Sequence, residues 1–435
     1  MTKVETARSL ALAVLEDVFV NQAYSNIALN KHLKGSQLSA ADKGLVTELV
    51  YGTVALKLTL EWYLSHFIED RDQLDSWLYV LLLMSAYQLR YLDKIPDHAV
   101  VNEAVELAKL RKKGSEKLVN AVLRRILREG WPDIASIKRK NKRDSIAYSL
   151  PVWLVAKLKE EYGEERAKAI FESLLVRNKA SIRVTDLSRK EEIQALLEAN
   201  NSLLATTGLV KEQGHFAGHN LFANGAITIQ DESSQLVAPT LDLQGDERVL
   251  DACAAPGGKT AHIASYLTTG QVTALDLYDH KLDLIQENAQ RLGVADRVQT
   301  QKLDARKVHE FFDQDSFDKI LVDAPCSGIG LLRRKPDIKY NKETADFLQE
   351  IQLEILGSVC QILGKGGIIT YSTCTIVSEE NFQVVKAFLE SHPEFEQVKL
   401  EHECKDIMKD GCILITPELY GSDGFFISQF RKISD

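Results

Sequence analysis

The stretch Arg248 to Thr260, RVLDACAAPGGKT, constrains this chain more than any other. A short β-type run from Arg248 to Asp251 breaks into small residues and Pro256-Gly257-Gly258, and an amphipathic run from Thr260 to Leu267 then reads as a helix. Strand, tight turn and helix start follow one another. Such a turn lets a ligand approach glycine backbone closely and offers the free N–H groups and positive dipole end of a helix to a polar or anionic group. Cys253, Ala254, Ala255, Pro256, Gly257, Gly258 and Lys259 are therefore candidate ligand contacts.

Downstream of this turn the pattern alternates. Strands are expected at Arg248 to Asp251, Gln271 to Asp276, Val298 to Leu303, Lys319 to Asp323, Gly367 to Tyr371, Phe395 to Leu400 and Gly424 to Phe430. Helices are expected between them, at Thr260 to Leu267, Asp279 to Leu292, Glu343 to Leu363 and Ser378 to Ser391. Alternation of this kind makes a doubly wound α/β sheet with ligand crevices at the carboxyl ends of its strands. Asp251, Asp276, Asp304, Asp323 and Cys374 fall at those ends.

Upstream, from Glu5 to about Arg128, apolar residues recur at helical spacing, as in Ala7, Leu10, Ala11, Val14, Leu15 and Val18. Breaks at Gly35-Ser36, Asp70 to Asp72, Pro96-Asp97 and Lys113 to Ser115 divide an all-α domain, with Asp97 reading as a helix N-cap. Between the two lies a mixed stretch. Pro151 opens a helix running to Tyr162, another follows Glu164, Leu187-Ser188 caps a third, and Ala180 to Thr185 and Gly225 to Gln230 alternate like strands. The expected organisation is multidomain: an all-α bundle over 1–140, a small α/β linking module over 141–234 and a Rossmann-like α/β domain over 235–435.

Nothing at the start reads as a signal peptide, and the longest apolar run, Tyr79 to Ala86, is too short to cross a bilayer. Six cysteines without close pairing read as reduced thiols in a cytoplasmic protein that needs no metal. The net charge of −9 argues mildly against nucleic acid. Its distribution argues the other way, because Lys109 to Arg143 holds thirteen Lys and Arg residues against three acidic ones. A solvated helix surface is the plainer explanation of such a run; its density favours phosphate contacts.

Two ligands compete for the turn. Gly258-Lys259-Thr260 after a strand suggests a phosphate-binding loop and hence a nucleotide hydrolase. That motif requires glycine five residues before Gly258, where Cys253 stands. The alternative is a nucleoside cofactor without polyphosphate. Asp276 ends the second strand, where a carboxylate can accept both ribose hydroxyls, and Asp304 ends the third, within reach of an adenine amino group. Either carboxylate alone is better read as a helix cap. Two at successive strand ends point to S-adenosylmethionine.

The segments DACAAPGGKT, DLY at Asp276, LDAR at Asp304, DAPCSGIG at Asp323 and YSTCT at Tyr371 resemble the RNA cytosine-5 methyltransferases of the Sun/Fmu and Nop2 type. RRKPDIK, Arg333 to Lys339, is similar to a segment of that family's members acting on small-subunit ribosomal RNA, and IPDHAVVNEAVELAK and KLVNAVLRRIL resemble the helical RNA-binding factor NusB. The resemblance spans nearly the whole chain, least clearly in 141–220. It implies transfer of a methyl group from S-adenosylmethionine to cytosine in 16S ribosomal RNA, by a protein expected to be monomeric.

Carbon 5 of cytosine is a poor nucleophile until a thiolate adds to carbon 6, so this chemistry needs an activated cysteine. Cys326, after Pro325, and Cys374, after Thr373, both follow strands ending in one crevice, and the residues alone do not choose between them. The resemblance implies Cys374 as nucleophile and Cys326 as the group that assists product release. Asp323 suits ring nitrogen 3, as a carboxylic acid kept neutral by burial, or the cofactor. Lys259 reads equally as a contact to substrate phosphate or crevice carboxylates and as a lysine facing solvent. Gly328 and Gly330 would let a loop close over the base, and Arg333-Arg334-Lys335 would help position the RNA backbone. A rival from another class is a non-catalytic RNA-binding assembly factor with a degenerate cofactor fold, against which the intact DAPC and STCT segments argue.

Overall fold

The structure is a computed structural model and describes residues 5–212, 214, 216–340 and 347–434. The chain packs as two compact units, Met1–Phe171 with Lys335–Tyr340, and Glu172–Arg334 with Asn341–Asp435. The 141–234 stretch is thus divided between them at Phe171.

The first unit is helical. Ala7–Phe19, Ser25–Lys34, Ala40–Ala55, Lys57–Leu64, Ser76–Tyr91, Asp97–Arg111 and Ser115–Glu129 follow in order, and Lys140–Ala147 and Val152–Ser173 come after them. Thr6 opens the first helix by accepting from Ser9 N–H, while the Ser9 hydroxyl accepts from Thr6 N–H, a reciprocal cap. Helix Ser76–Tyr91 runs through the core with Leu78 to Gln88 buried on every face, which is why its sequence shows an unbroken apolar run. Ser115–Glu129 buries Val119, Val122, Leu123 and Ile126 and leaves Lys117, Arg124 and Arg128 exposed. Asp97 does not cap its helix as expected: Pro96 holds the N-cap position, and Asp97 stands in the first turn, where its carboxylate faces the helix dipole. Gly163, at φ 76°, breaks the last helix where two helices were expected.

The second unit holds two sheets. The smaller is antiparallel in the order β2-β3-β1-β4, built from β1 (Ala180–Val184), β2 (Asn200–Asn201), β3 (Gly208–Lys211) and β4 (Ile227–Ile229). Only β1 and β4 carry an alternating pattern; β2 is two exposed asparagines, which nothing local marks as strand.

The larger sheet comprises β5 (Arg248–Asp251), β6 (Gln271–Asp276), β7 (Val298–Lys302), β8 (Phe317–Asp323), β9 (Leu363–Thr373), β10 (Phe395–Val398), β11 (Met408–Lys409), β12 (Cys412–Ile415) and β13 (Phe425–Lys432). Its order is β11-β12-β13-β9-β8-β5-β6-β7, with β10 beside β13. From β7 to β9 all neighbours are parallel; β10 to β13 extend the sheet antiparallel, so the doubly wound sheet is mixed. β8 is buried across Ile320, Leu321 and Val322, the run expected of a strand covered on both faces. Chain order departs from β5 in both directions, towards β6 and β7 on one side and β8 and β9 on the other. That switch point opens a crevice at the carboxyl end of β5. Register keeps the ends together, with Asp251 level with Ala274 and Leu321, and Asp323 level with Ser372.

Candidate active site

Beyond the strand ends lies a cavity of about 470 Å³. Cys253 and Ala255 from the turn after β5, Asp276 and Leu277 after β6, Leu303, Asp304 and Arg306 after β7, Asp323 to Cys326 after β8 and Cys374 after β9 line it, and Ile351 and Ile355 of helix Leu348–Val359 close one side.

The remaining turn residues work beneath this surface. Ala254 is buried, its N–H donating to Leu275 carbonyl at 2.9 Å, and the Pro256 carbonyl accepts from Asn288 at 2.7 Å. Gly257 adopts φ 96° at the start of helix Gly258–Tyr266, and a Cβ there would come within 2.9 Å of Ile285 Cα. Packing therefore requires that glycine, whereas a Cβ on Gly258 would meet nothing within 4 Å. Lys259 turns inward. Its Nζ lies 2.7 Å from Asp323 Oδ2 and 5.1 Å from the Phe425 ring centroid, so the solvent-facing alternative does not describe it. Burial would lower this ammonium's pKa, but the Asp323 carboxylate overrides it and the net direction is up.

Asp323 Oδ1 accepts from Ser372 Oγ at 2.8 Å, so both its oxygens are engaged. Asp251 is 1% exposed and is pushed up to about 7, first by burial and then by the Asp323 charge. Thr260 Oγ1 donates to its Oδ2 at 2.7 Å, while Oδ1 is buried with no hydrogen-bond partner among the described residues. Asp276 accepts from Tyr278 N–H at 3.2 Å, with Lys281 at 3.6 Å. Asp304 both caps the following 3₁₀ turn through Arg306 N–H and pairs with the Arg306 guanidinium, which holds it below its ordinary value. Burial raises the Cys253 thiol's pKa, as do the charges of Asp251, Asp323, Asp276 and Asp304.

The three carboxylates that line this cavity, Asp276, Asp304 and Asp323, suit a cationic nucleoside. Leu277, Leu303, Ile351 and Ile355 give the cavity apolar sides suited to an adenosyl group.

Cys326 and Cys374 meet in the cavity wall with sulfurs 3.2 Å apart. The hydrogen bond with Cys374 raises the Cys326 thiol well above its ordinary value, burial adds to this, and the Cys374 and Glu380 charges push the same way. Around the two thiols runs a buried polar network of Tyr371 with three residues that the sequence did not mark: Glu380, Asn381 and Gln352. Its one sequence signal is position, since Glu380-Asn381 follows the STCT segment by a single turn.

Residues expected to contact RNA divide. Arg333 donates to the carbonyls of Gly421 and Pro417 at 2.8 and 2.5 Å, and Arg334 pairs with Asp423 and Asp231 at 2.6 Å each. These guanidiniums hold the fold together; Lys335 alone of that triplet is exposed. Outside the cavity, Cys360, His392 and Glu394 bring possible ligand atoms within 4.8 Å of one another, but burial pushes the Cys360 thiol up to about 12 and His392 Nδ1 lies 3.0 Å from Phe388 carbonyl.

The model of the 16S rRNA methyltransferase RsmB/F family matches residues 238–431, and that of the NusB family matches residues 5–128. The probable ribosomal RNA small subunit methyltransferase B of Bacillus subtilis is 44% identical, with 99% of each chain covered. The chain belongs to the RsmB/F family. A second relative of RsmB/F type, the probable ribosomal RNA small subunit methyltransferase B of Synechocystis, is 32% identical across 98% of this chain and 99% of its own length. The crystal structure of PH0851 superposes with a TM-score of 0.83 at 25% identity, covering 99% of this chain and 100% of that one. As an RsmB/F enzyme the chain is an S-adenosylmethionine-dependent ribosomal RNA methyltransferase, with a NusB-like helical region ahead of a Rossmann-like catalytic fold. Among the described residues no helix is long and apolar enough to cross a membrane.

Proposed function

We propose that the enzyme methylates carbon 5 of a cytosine in 16S ribosomal RNA through a covalent cysteine–cytosine adduct. The observation that carries this reading is the pair of thiols 3.2 Å apart on one wall of the cofactor cavity, one after each of two neighbouring parallel strands. A methyltransferase acting on nitrogen or oxygen has no need of two such thiols.

Bound S-adenosylmethionine supplies an electrophilic methyl group. Cys374 adds its thiolate to carbon 6 and drives an electron pair onto carbon 5, which then accepts the methyl group. Asp323 with Lys259 faces the ring edge, where negative charge gathers at nitrogen 3 as the thiolate adds. The carbon 5 proton then passes to solvent water with Cys326 assisting its release, and the returning electron pair expels Cys374 as a thiolate. Cys253, Ala255, Asp276 and Asp304 hold the cofactor, Asp276 at the ribose and Asp304 at the adenine. The same lining carboxylates that favour a sulfonium oppose a triphosphate, which weighs against the nucleotide-hydrolase alternative.

A paired base cannot reach this cavity, so the target cytosine lies in a loop or single strand, and the exposed cations of 109–143 hold the surrounding phosphates. Cys374→Ala abolishes methylation, and Cys326→Ala accumulates an RNA–protein adduct that survives denaturing electrophoresis. An adduct found with Cys374→Ala instead reverses the two roles, and bisulfite sequencing of the product identifies the cytosine.

A further inference from the structure

The ladder between β8 and β9 ends where Ala324 N–H donates to Ser372 carbonyl. Past that point Pro325 has no N–H to offer and the two cysteine loops are free to diverge. Side chains hold them together. Glu380 Oε2 accepts from Ser327 N–H at 2.8 Å and from Gln352 Nε2 at 3.1 Å, and Oε1 accepts from the Ser327 hydroxyl. Gln352 Nε2 also donates to Pro325 carbonyl at 3.0 Å. On the other loop, Thr373 Oγ1 donates to Asn381 Oδ1 at 2.6 Å, Asn381 Nδ2 donates to Thr375 carbonyl at 3.0 Å, and Thr375 Oγ1 lies 3.0 Å from Ser327 Oγ. Tyr371 OH anchors the centre by donating to Glu380 carbonyl at 2.6 Å.

The residues immediately beside each cysteine are therefore tied to one adjacent pair, Glu380-Asn381, which is itself buried. A buried carboxylate whose partners are neutral hydroxyl and amide groups is a costly way to fill space that an apolar side chain could occupy. Its position gives it a task. Glu380 holds Ser327, the residue after Cys326, and Asn381 holds Thr373 and Thr375, the residues on either side of Cys374.

We propose that Glu380, with Asn381, is a positioning residue that braces the Pro325–Ser327 and Thr373–Thr375 loops against each other and so sets the distance between the two thiols. The inference rests on reading Cys374 and Cys326 as the reacting groups.

The test uses the full chain and phenylarsine oxide, which bridges two nearby thiols with loss of water and needs no RNA. The parent protein captures one arsenical across Cys326 and Cys374, and Cys374→Ala does not. Glu380→Ala slows capture by about tenfold or more and single-turnover methyl transfer by about a hundredfold, the scale expected when reacting groups move by about an ångström, while the S-adenosylmethionine Kd stays within about threefold. Glu380→Gln keeps an acceptor for Ser327 and restores part of both rates. Parental capture in Glu380→Ala overturns the proposal even if transfer is slow, because the defect then lies elsewhere. Should Glu380→Ala fail to bind cofactor, Glu380→Gln and Asn381→Ala decide, and parental capture in both overturns it. Parental methylation by Cys374→Ala would remove the cysteine reading instead, and arsenical capture would still judge the brace.

Discussion

Asp251 carries the strongest consequence for a single residue. In the fold it keeps its proton up to about pH 7, whereas in the unfolded chain a free aspartate releases it near pH 4. The folded state therefore binds the extra proton between those values, and stability falls as the pH rises through that window and is level above it. The ceiling on the loss is about 4 kcal/mol. Asp251→Asn has no proton to lose and still accepts from Thr260, so denaturation at about pH 5 and about pH 8 should show the variant gaining on the parent at the higher pH by a few kcal/mol. An unchanged difference between the two proteins would mean that Asp251 is solvated after all. Strand alternation and a following glycine turn made this residue legible as a strand end, but the charge that adds to its shift is that of Asp323, seventy-two positions away. The same limit applies to Lys259, whose inward turn is set by Asp323, and to Arg333 and Arg334, whose carbonyl and carboxylate partners lie mostly beyond position 415. A cluster of arginines looks alike in sequence whether it faces phosphate or locks a loop.

At the scale of elements, β5, β6 and β8 were legible because each is a largely apolar run closed by an aspartate, whereas β7, VQTQK, is mostly exposed. β11 and β12 were not legible: Met408–Lys409 is too short to show a period, and Cys412–Ile415 is apolar throughout and follows a turn. Their place in the sheet comes from pairing with β13. What the elements do to one another at the cysteine loops explains Gly330 better than loop closure does. Its N–H donates to Cys374 carbonyl at 3.0 Å and its carbonyl accepts from Gly424 N–H at 2.9 Å, and a Cβ would fall 2.1 Å from Gly424 oxygen and 2.8 Å from Cys374 oxygen. Three backbones cross there without room for a methyl group. Gly330→Ala should cost about 1–3 kcal/mol in stability through forced backbone shifts. Because one of those backbones carries Cys374, single-turnover transfer should fall by about a hundredfold. Transfer within about threefold of the parent would show that the crossing can open without moving the thiol.

On the scale of the whole molecule, the chain leaves its second unit after Arg334 and contributes Lys335–Tyr340 to the first. The segment fits among the helices by specific polar contacts: Ser25 Oγ donates to Asp337 at 2.6 Å, Lys339 Nζ to Ala55 carbonyl at 2.5 Å and Tyr340 OH to Val54 carbonyl at 2.9 Å. The two carbonyls belong to the last turn of helix Ala40–Ala55, where intrahelical donors run short. Tyr340 also packs on the helical core, with Lys57 Nζ 5.1 Å from its ring centroid. A helical bundle read from its own 140 residues would be missing these caps, which arrive from a segment nearly two hundred positions later. Tyr340→Ala removes both packing and cap, for an expected loss of about 2–4 kcal/mol, and Tyr340→Phe removes only the hydrogen bond, for about 1 kcal/mol. All four tryptophans, Trp62, Trp77, Trp131 and Trp153, lie in the first unit, so the urea midpoint followed by tryptophan fluorescence reads that unit alone. The midpoint should fall in the order parent, Tyr340→Phe, Tyr340→Ala, while S-adenosylmethionine binding in native buffer is unchanged. Equal midpoints for parent and Tyr340→Ala would mean that the bundle closes its helix ends without this segment.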